Sequence, residues 1–404
     1  VTIAIRPIEL EELPALLQAD ARAFGHSGSP TEGSRSWSEG ELDRTCVAFE
    51  DGGIVGSSRN YSFELTMPGG SLVPAAAVSW VGVLPTHRRR GVLTRLMQAL
   101  HDDARAHDEP LAMLTASESA IYGRFGYGIG TWRLGLVVER ARIQFGPAAD
   151  TGRMRMLTRD DAQSELPALY DRVRPLRAGM VTRPEFWWPQ VYWEFVADPK
   201  KACFFAVHSD AAGNDDGYVA YEMTEGWAGG LPSKKLHIWD LQAADGSARA
   251  ALWRYIFGVD LVDIVEIDTA PIDDPLRWLV RDGRRVRVDY LNDGLWLAVF
   301  DCARVLSART YAIDGVVNFA FVAPDGTRTS VALDGGPDGA KCTTTSAAPD
   351  ISCSTATLGA CVLGGNRWTE LAQAGLVEAS DPSMLLRADA MFLSQPAPAL
   401  LSSF

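Results

Sequence analysis

The sequence predicts an α+β fold with an α/β-like layout, divided into three units at residues 1–150, 151–288 and 289–404. Three observations predict it. The order helix, strands, helix, strand, short helix fills the first unit, the same order of elements returns in the second, and the third is rich in strands and turns. With 404 residues, 47% of them hydrophobic and 22% charged, the chain carries enough apolar material for two or three cores of ordinary size. A peptide hormone and a wholly disordered chain are thereby excluded.

In the first unit, Leu13, Leu16, Leu17 and Phe24 recur at helical spacing between Leu10 and Phe24, and Gly25 follows as a stop. Small and polar residues then dominate Gly25 to Ser38, a loop that can cover a site. Asp51-Gly52-Gly53 is a hairpin signal between the strands Cys46–Phe49 and Ile54–Gly56. Further strands are expected over Tyr61–Thr66 and Ala75–Val83, then a helix over Arg89–His107 with Leu93, Leu96, Met97 and Leu100 as its apolar face. A strand at Leu111–Thr115 and a short helix around Ala120–Phe125 complete the unit. The small and turn residues from Gly146 to Gly152 mark the boundary.

The second unit opens with Arg155-Met156-Leu157 and a helix over Asp161–Val173. Strands at Cys203–Val207, Gly217–Tyr221 and Lys235–Trp239 precede a helix near Ala248–Phe257 and a strand near Val262–Asp268. The resemblance to the first unit is one of element order, not of residue identity. Trp187, Trp188 and Trp193 pack the interior of this unit or an interface between copies. The third unit begins near Asp289 with a strand at Leu295–Val299 and a short helix at Asp301–Ser307. Pro324-Asp325-Gly326 is a hairpin signal between Val317–Val322 and Arg328–Leu333. The hydroxyl-rich stretch Lys341–Thr357 accommodates strands. Helices follow around Ser354–Leu363 and Trp368–Ala374, and Asp381–Phe392 reads equally as helix or strand. Phe404, an apolar last residue, invites docking.

Charge and cysteines narrow the function. The 51 acidic residues against 38 basic ones give a net charge of −13, which repels nucleic-acid phosphates over most of the surface yet permits a local basic patch for a small anion. Val1–Leu10 contains Arg6 and Glu9 and no apolar run of signal length, and no stretch approaches the roughly 18 apolar residues of a membrane span. A soluble cytoplasmic protein is expected. The cysteines at 46, 203, 302, 342, 353 and 361 form no CxxC pair and are expected as reduced thiols. The six histidines make no HExxH or other metal set, so no metal is expected.

The segment from Val78 to Leu93 carries the chemistry. A strand that runs through Arg88-Arg89-Arg90-Gly91 into a helix offers unpaired amides at the helix's positive end, where a diphosphate is held. Gly91 allows close backbone approach, and the arginines screen phosphate charge. Taken alone, the cluster reads either as an ordinary charged helix start or as an anion site. It is neither the GxxxxGK[ST] phosphate loop nor GxGxxG.

This combination resembles the acetyl-CoA motif of the Gcn5-related N-acetyltransferases, Gln/Arg-x-x-Gly-x-Gly/Ala, with Leu93 standing at its final position. The longer strings SWVGVLPTHRRRGVLTRLM and TASESAIYGRFGYG resemble more closely the Eis family, the enhanced-intracellular-survival acetyltransferases of mycobacteria and related bacteria. The resemblance extends over essentially the whole chain. It implies tandem acetyltransferase domains, the second without a cofactor signature, and a C-terminal α+β domain like sterol carrier proteins whose tail enters the active site. It also implies acetyl-CoA as co-substrate, hexameric assembly, and direct transfer to primary amines, including aminoglycosides and lysine side chains.

On that resemblance, the cofactor residues are Val81, Val83, Arg88, Arg89, Arg90, Gly91 and Val92. The Val81 amide faces the thioester oxygen and the Val83 main chain faces the pantetheine arm. Tyr122 is the general acid for the leaving sulfur, with Tyr127 assigned to packing. The terminal carboxylate of Phe404 takes the amine proton, with positioning compensating for a pKa of about 3.5. Phe24 and Trp37 are candidate walls of the acceptor cavity, and Glu32, Glu39, Glu41 and Asp43 supply local negative potential or a solvated loop. His26 and Ser403 stand where relatives place acidic residues, which weakens the expectation of strong binding to polycationic antibiotics. Cys46 is the candidate for a rival acyl-cysteine route, against which stands its place in a buried strand. Two other classes of function remain open: a non-catalytic CoA-binding or assembly module, and a lipid carrier.

Overall fold

The computed structural model describes residues 3–25, 41–147, 152–196, 201–228 and 230–404. No helix among these residues is long and apolar enough to cross a membrane. The first sheet starts with β1 (Ala4–Pro7), β2 (Thr45–Glu50), β3 (Gly53–Thr66), β4 (Leu72–Val83), β5 (Leu111–Thr115) and β6 (Tyr127–Ile129). Helix α1 (Leu13–Phe24) buries Leu13, Leu16 and Leu17 and stops at Gly25, whose φ of +78° a residue with a Cβ rarely adopts. Asp51 and Gly52 both take positive φ, which matches the twist of the β2–β3 hairpin.

The two strands expected at 54–56 and 61–66 are one strand, β3. The polar residues between them, Ser57 to Asn60, are buried: Ser57 and Ser58 donate to Trp80 O and Cys46 O, and Arg59 stacks on the Tyr61 ring. Asn60 donates to Leu100 O at 2.8 Å and to Asp103 Oδ2 at 2.7 Å. Helix α2 (Val92–Ala106) begins three residues later than the expected Arg89, because Arg89 and Gly91 have φ of +61° and +77°.

The chain continues through β7 (Trp132–Glu139), β8 (Arg153–Leu157), α3 (Arg159–Val173), β9 (Cys203–Ser209) and β10 (Asp215–Met223). A two-residue pair, β11 (Trp227–Ala228) and β12 (Leu231–Pro232), leads to β13 (Lys234–Ala243), α4 (Gly246–Gly258), β14 (Val262–Pro271), α5 (Leu276–Leu279), β15 (Arg287–Asp293) and β16 (Leu295–Val299). Trp187 and Trp188 are buried and meet edge to face at 5.6 Å inside the large core.

The strand orders are β1-β2-β3-β4-β5-β16-β6 and β8-β9-β10-β13-β14-β7-β15. Each sheet thus takes its sixth strand from the other half of the chain. The sheets therefore do not divide at 150 and 288: Trp132–Glu139 belongs to the second sheet, and Leu295–Val299, expected in the third unit, lies inside the first. All five residues of β16 are buried, the continuous apolar run of a central strand. The two crossings touch: Gly294 N donates to Thr131 O and Leu295 N to Thr131 Oγ1, both at 2.8 Å. A Cβ on Gly294 would lie 2.5 Å from Thr131 Oγ1.

The third sheet, β19-β18-β17-β20-β21, comprises β17 (Gly315–Val322), β18 (Arg328–Gly336), β19 (Gly339–Thr344), β20 (Ile351–Ser354) and β21 (Val377–Ala379). It packs with α6 (Cys302–Ser307), α7 (Thr355–Cys361), α8 (Trp368–Gln373) and α9 (Pro382–Phe392). Its interior is filled by Phe319, Phe321, Trp368 and Phe392. The segment read equally as helix or strand is a helix, capped by Asp381 Oδ1 on Ser383 N at 2.9 Å.

Candidate active site

Strands β4 and β5 pair only from Ala75/Leu111 to Ala77/Met113 and then separate. The cause lies in β4, whose ladder with β3 slips between Ser57 and Arg59. Trp80, inside the slip, has a φ of +57°, and its carbonyl accepts from Ser57 Oγ at 2.9 Å. Such a bulge bends a strand away from its neighbour. A cleft of about 680 Å³ opens there, with Val81, Gly82 and Val83 on one wall, Ser117, Glu118 and Tyr122 on the other, and Arg88, Arg89, Gly91 and Val92 at its end.

The four residues His87 to Arg90 of the β4–α2 turn part into two pairs. Glu50, the last residue of β2, holds His87 Nε2 at 2.8 Å and both terminal nitrogens of Arg90, Nη1 at 3.1 Å. Arg90 foremost, with His87, keeps the Glu50 carboxyl below the usual range. Arg90 was expected among the cofactor ligands; it is turned to Glu50 instead and does not line the cleft. Arg88 and Arg89 remain exposed on the cleft wall. Gly91 has open space where a Cβ would stand, so the approach to the first turn of α2 is unobstructed. A splayed strand edge leading to an accessible helix N-terminus with two arginines fits a thioester carried on a long pantetheine diphosphate.

Tyr122 starts a single 3-10 turn, Tyr122–Phe125, that ends at Gly126 with a φ of +89°. Its ring is 9% exposed and stands edge-on to Tyr127 at 5.9 Å. Burial first, then the charge of Glu118, raises its phenol above the ordinary range, so it holds its proton at neutral pH. Behind it, Tyr127 OH lies 3.2 Å from His101 Nε2, and burial lowers the His101 imidazole to about 4. Burial pushes the Cys46 thiol up to about 11, leaving it a poor nucleophile at neutral pH.

Phe24 lies over β4: a Cβ on Gly82 would meet its ring at 3.4 Å. It lines both the cleft and a recess of about 250 Å³ shared by Trp80, Val81, Thr115 and Tyr122. Thr115 and Ser117 also wall a neighbouring cavity of about 730 Å³, which contains Trp239, Asp268, Asp293 and the tail residues Leu401, Ser402 and Ser403. The Phe404 ring packs on Phe63 at 5.5 Å between centroids. The chain's end therefore lies next to the end of β5 that also borders Tyr122. His26, Trp37, Glu32 and Glu39 lie outside the described residues. Glu41 Oε2 accepts from Ser62 N at 3.0 Å. Among the described residues, no group of three or more His, Cys, Asp and Glu is placed to hold a metal.

Of the residues that hold the tail, Arg183 and Gln242 escaped the sequence reading, and Trp187 was read only as packing. Arg183, 7% exposed, pairs with Asp240 at 3.0 Å and donates from Nε to Ser402 Oγ at 3.1 Å. Trp187 Nε1 donates to Ser403 O at 2.8 Å, and Gln242 Nε2 to Leu401 O at 2.9 Å. The available signal was Trp239, which recurs in β13 as Trp80 does in β4.

Comparison with known proteins accords with this geometry. Models of the acetyltransferase (GNAT) domain match residues 4–130 and 179–305, and a sterol carrier protein domain matches 303–401. An uncharacterized N-acetyltransferase of Streptomyces avermitilis is 36% identical over 95% of both chains. N-acetyltransferase Eis of Mycobacterium tuberculosis is 34% identical over 84% of this chain and 83% of its own. The crystal structure of Eis1 from Mycobacterium abscessus superposes with a TM-score of 0.86 over the whole of both chains at 34% identity. Tandem GNAT domains, a sterol-carrier-like third domain and this degree of identity together place the chain in the Eis family of GNAT N-acetyltransferases.

Proposed function

We propose that the chain transfers the acetyl group of acetyl-CoA directly to a primary amine. The observation that carries this reading is the cleft between the separated ends of β4 and β5, which runs from the first turn of α2 to the Tyr122 phenol. Acetyl-CoA supplies an activated acyl group on a thiolate leaving group. Arg88, Arg89 and the amides at Gly91 and Val92 hold the diphosphate, and the main chain at Val83 holds the pantetheine arm. The Val81 N–H donates to the carbonyl oxygen as charge gathers there. The amine nitrogen forms the new bond to the acetyl carbon as the carbon–sulfur bond breaks. Tyr122 gives its proton to the departing sulfur, and the Phe404 carboxylate accepts the amine proton through water.

The cavity beside the tail supports an amine acceptor. Asp268 and Asp293 raise the local concentration of cations, and the Trp239 face suits a cationic or apolar body. Small amines and lysine side chains suit it better than polycationic aminoglycosides, because His26 and Ser403 replace acids. The chain works as a homo-oligomer, with a hexamer expected from its family, which light scattering on the purified protein checks.

The test is turnover of acetyl-CoA with a broad panel of primary amines, comparing wild type, Tyr122→Phe and a chain lacking Phe404. CoA release that depends on the amine, with one acetyl group gained by the amine, is the expected result. Cofactor binding without turnover across the panel would leave a CoA-binding module. Equal rates from all three proteins would remove both proton-transfer roles.

A further inference from the structure

The second acetyltransferase-like domain contains its own version of the cofactor cleft, and the chain's end lies in it. In the first sheet the ladder between the third and fourth strands slips at Trp80; in the second it slips between Ala220 and Tyr221, opposite Trp239. Counting from the tryptophans, Asp240 stands where Val81 stands and Gln242 where Val83 stands. Strands β13 and β14 pair as far as Ile238 and Ile267 and then part, as β4 and β5 do. The position that would run beside a pantetheine arm is thus Gln242, and its amide donates to Leu401 O at 2.9 Å.

The rest of this second cleft is closed to a nucleotide. Where α2 leaves its first turn open, α4 is capped by Asp245, whose Oδ1 accepts from Ser247 N at 2.8 Å and Ala248 N at 2.9 Å. A carboxylate there repels phosphate. Arg249 is paired with Asp274 at 2.6 Å and Arg177 with Asp273 at 2.9 Å. The cavity of about 330 Å³ left beside α4 is walled in part by Pro396 and Leu401 of the tail. Arg183, held over the rings of Tyr170 at 3.8 Å and Trp187 at 4.4 Å, bridges Asp240 to Ser402.

We propose that the vestigial cofactor cleft of the second domain is the dock for the chain's own tail, with Gln242 and Arg183 positioning the Phe404 carboxylate at the catalytic cleft of the first domain. The positioning role rests on the reading of that carboxylate as the proton acceptor; the docking itself does not. Three consecutive residues, Leu401, Ser402 and Ser403, are each bonded to the second domain or to the segment leading into it. Such bonding leaves only the last residue to reach across. The second domain then acts on the chemistry by holding the base, in addition to lining the acceptor cavity through Trp239 and Asp268.

The experiment uses the full chain with Gln242→Leu, which keeps the bulk and removes the donor, and Ser402→Ala, which removes the acceptor for Arg183. Two readouts are taken: release of Phe404 by a carboxypeptidase, and the kinetics of amine acetylation across pH. One lost hydrogen bond corresponds to about a two- to tenfold shift in the docked population. Phe404 release is therefore expected to accelerate by about that factor in both variants. Under the terminal-base reading kcat falls with the docked fraction, by a smaller factor than release accelerates, its pH profile shifts, and KM for acetyl-CoA stays constant. In a chain lacking Phe404, Gln242→Leu then has no further effect on kcat. Unchanged release of Phe404 in both folded variants would overturn the dock, whatever happens to turnover. Faster release with an unchanged kcat, in a protein whose kcat also survives loss of Phe404, would retain the dock and remove the terminal base.

Discussion

Replacing Tyr122 with Phe isolates one hydroxyl. The ring is 9% exposed and packs edge-on to Tyr127 at 5.9 Å, contacts that phenylalanine keeps, so the variant folds. What is lost is a proton that burial and Glu118 hold on the phenol throughout the usual assay range. General acids contribute about 10²- to 10⁴-fold. A thiolate whose acid has a pKa near 8.5 leaves without full protonation, so the lower end applies: kcat is expected to drop about 10²-fold, or about 2.7 kcal/mol of barrier. KM for acetyl-CoA stays within about twofold, because the diphosphate and pantetheine contacts lie elsewhere in the cleft. The assay is steady-state CoA release with a primary amine at saturation. A folded variant whose kcat remains within about threefold of wild type would refute the assignment.

Arg88→Gln and Arg89→Gln are each expected to raise KM for acetyl-CoA several-fold and flatten its salt dependence. Arg90→Gln, whose partner Glu50 lies off the cleft, raises it less, and steady-state kinetics at two ionic strengths separate the three. Calorimetric titration with CoA should find one molecule per chain, since Asp245 closes the second helix end. Gly294→Ala places a Cβ 2.5 Å from Thr131 Oγ1 where the two sheets exchange strands, and overpacking of this kind costs about 1–3 kcal/mol. Denaturant unfolding reads that cost. His101 is held neutral with its imidazole lowered to about 4, against about 6.5 when unfolded, so the unfolded chain binds the extra proton between those values. Its contribution is present above pH 6.5 and is lost as pH falls toward 4. His101→Gln should flatten that part of the stability profile measured by unfolding at pH 4 to 7.

What was legible in the sequence was local. The Asp51-Gly52 turn, the stop at Gly25, the turn through Arg88 to Gly91 that leads into a helix and the hairpin at Pro324-Asp325-Gly326 are short-range signals whose meaning needs no distant partner. The strand exchange was hidden because pairing is decided across the chain. Leu295–Val299 looks like any buried strand, and Trp132–Glu139 was not recognised as one, although Trp132 through Glu139 pairs with both Val262–Pro271 and Arg287–Asp293. Ser57 to Asn60 read as a break because buried polar residues look like a turn until their partners are known: Trp80 for Ser57, Cys46 for Ser58, and Leu100 and Asp103 for Asn60. Arg90 shows the same limit in the site: its type suited a phosphate, but its neighbour across the hairpin is Glu50. Arg183 carried no signal at all, since its role depends on a tail more than 200 residues away.

A crystal structure of the chain with bound CoA tests the account most directly. The expected result is a diphosphate on the amides at the start of α2, pantetheine along Val81 to Val83, and the sulfur within hydrogen-bonding distance of the Tyr122 hydroxyl. CoA seated against Asp245 and α4, or with its sulfur remote from Tyr122, would contradict it.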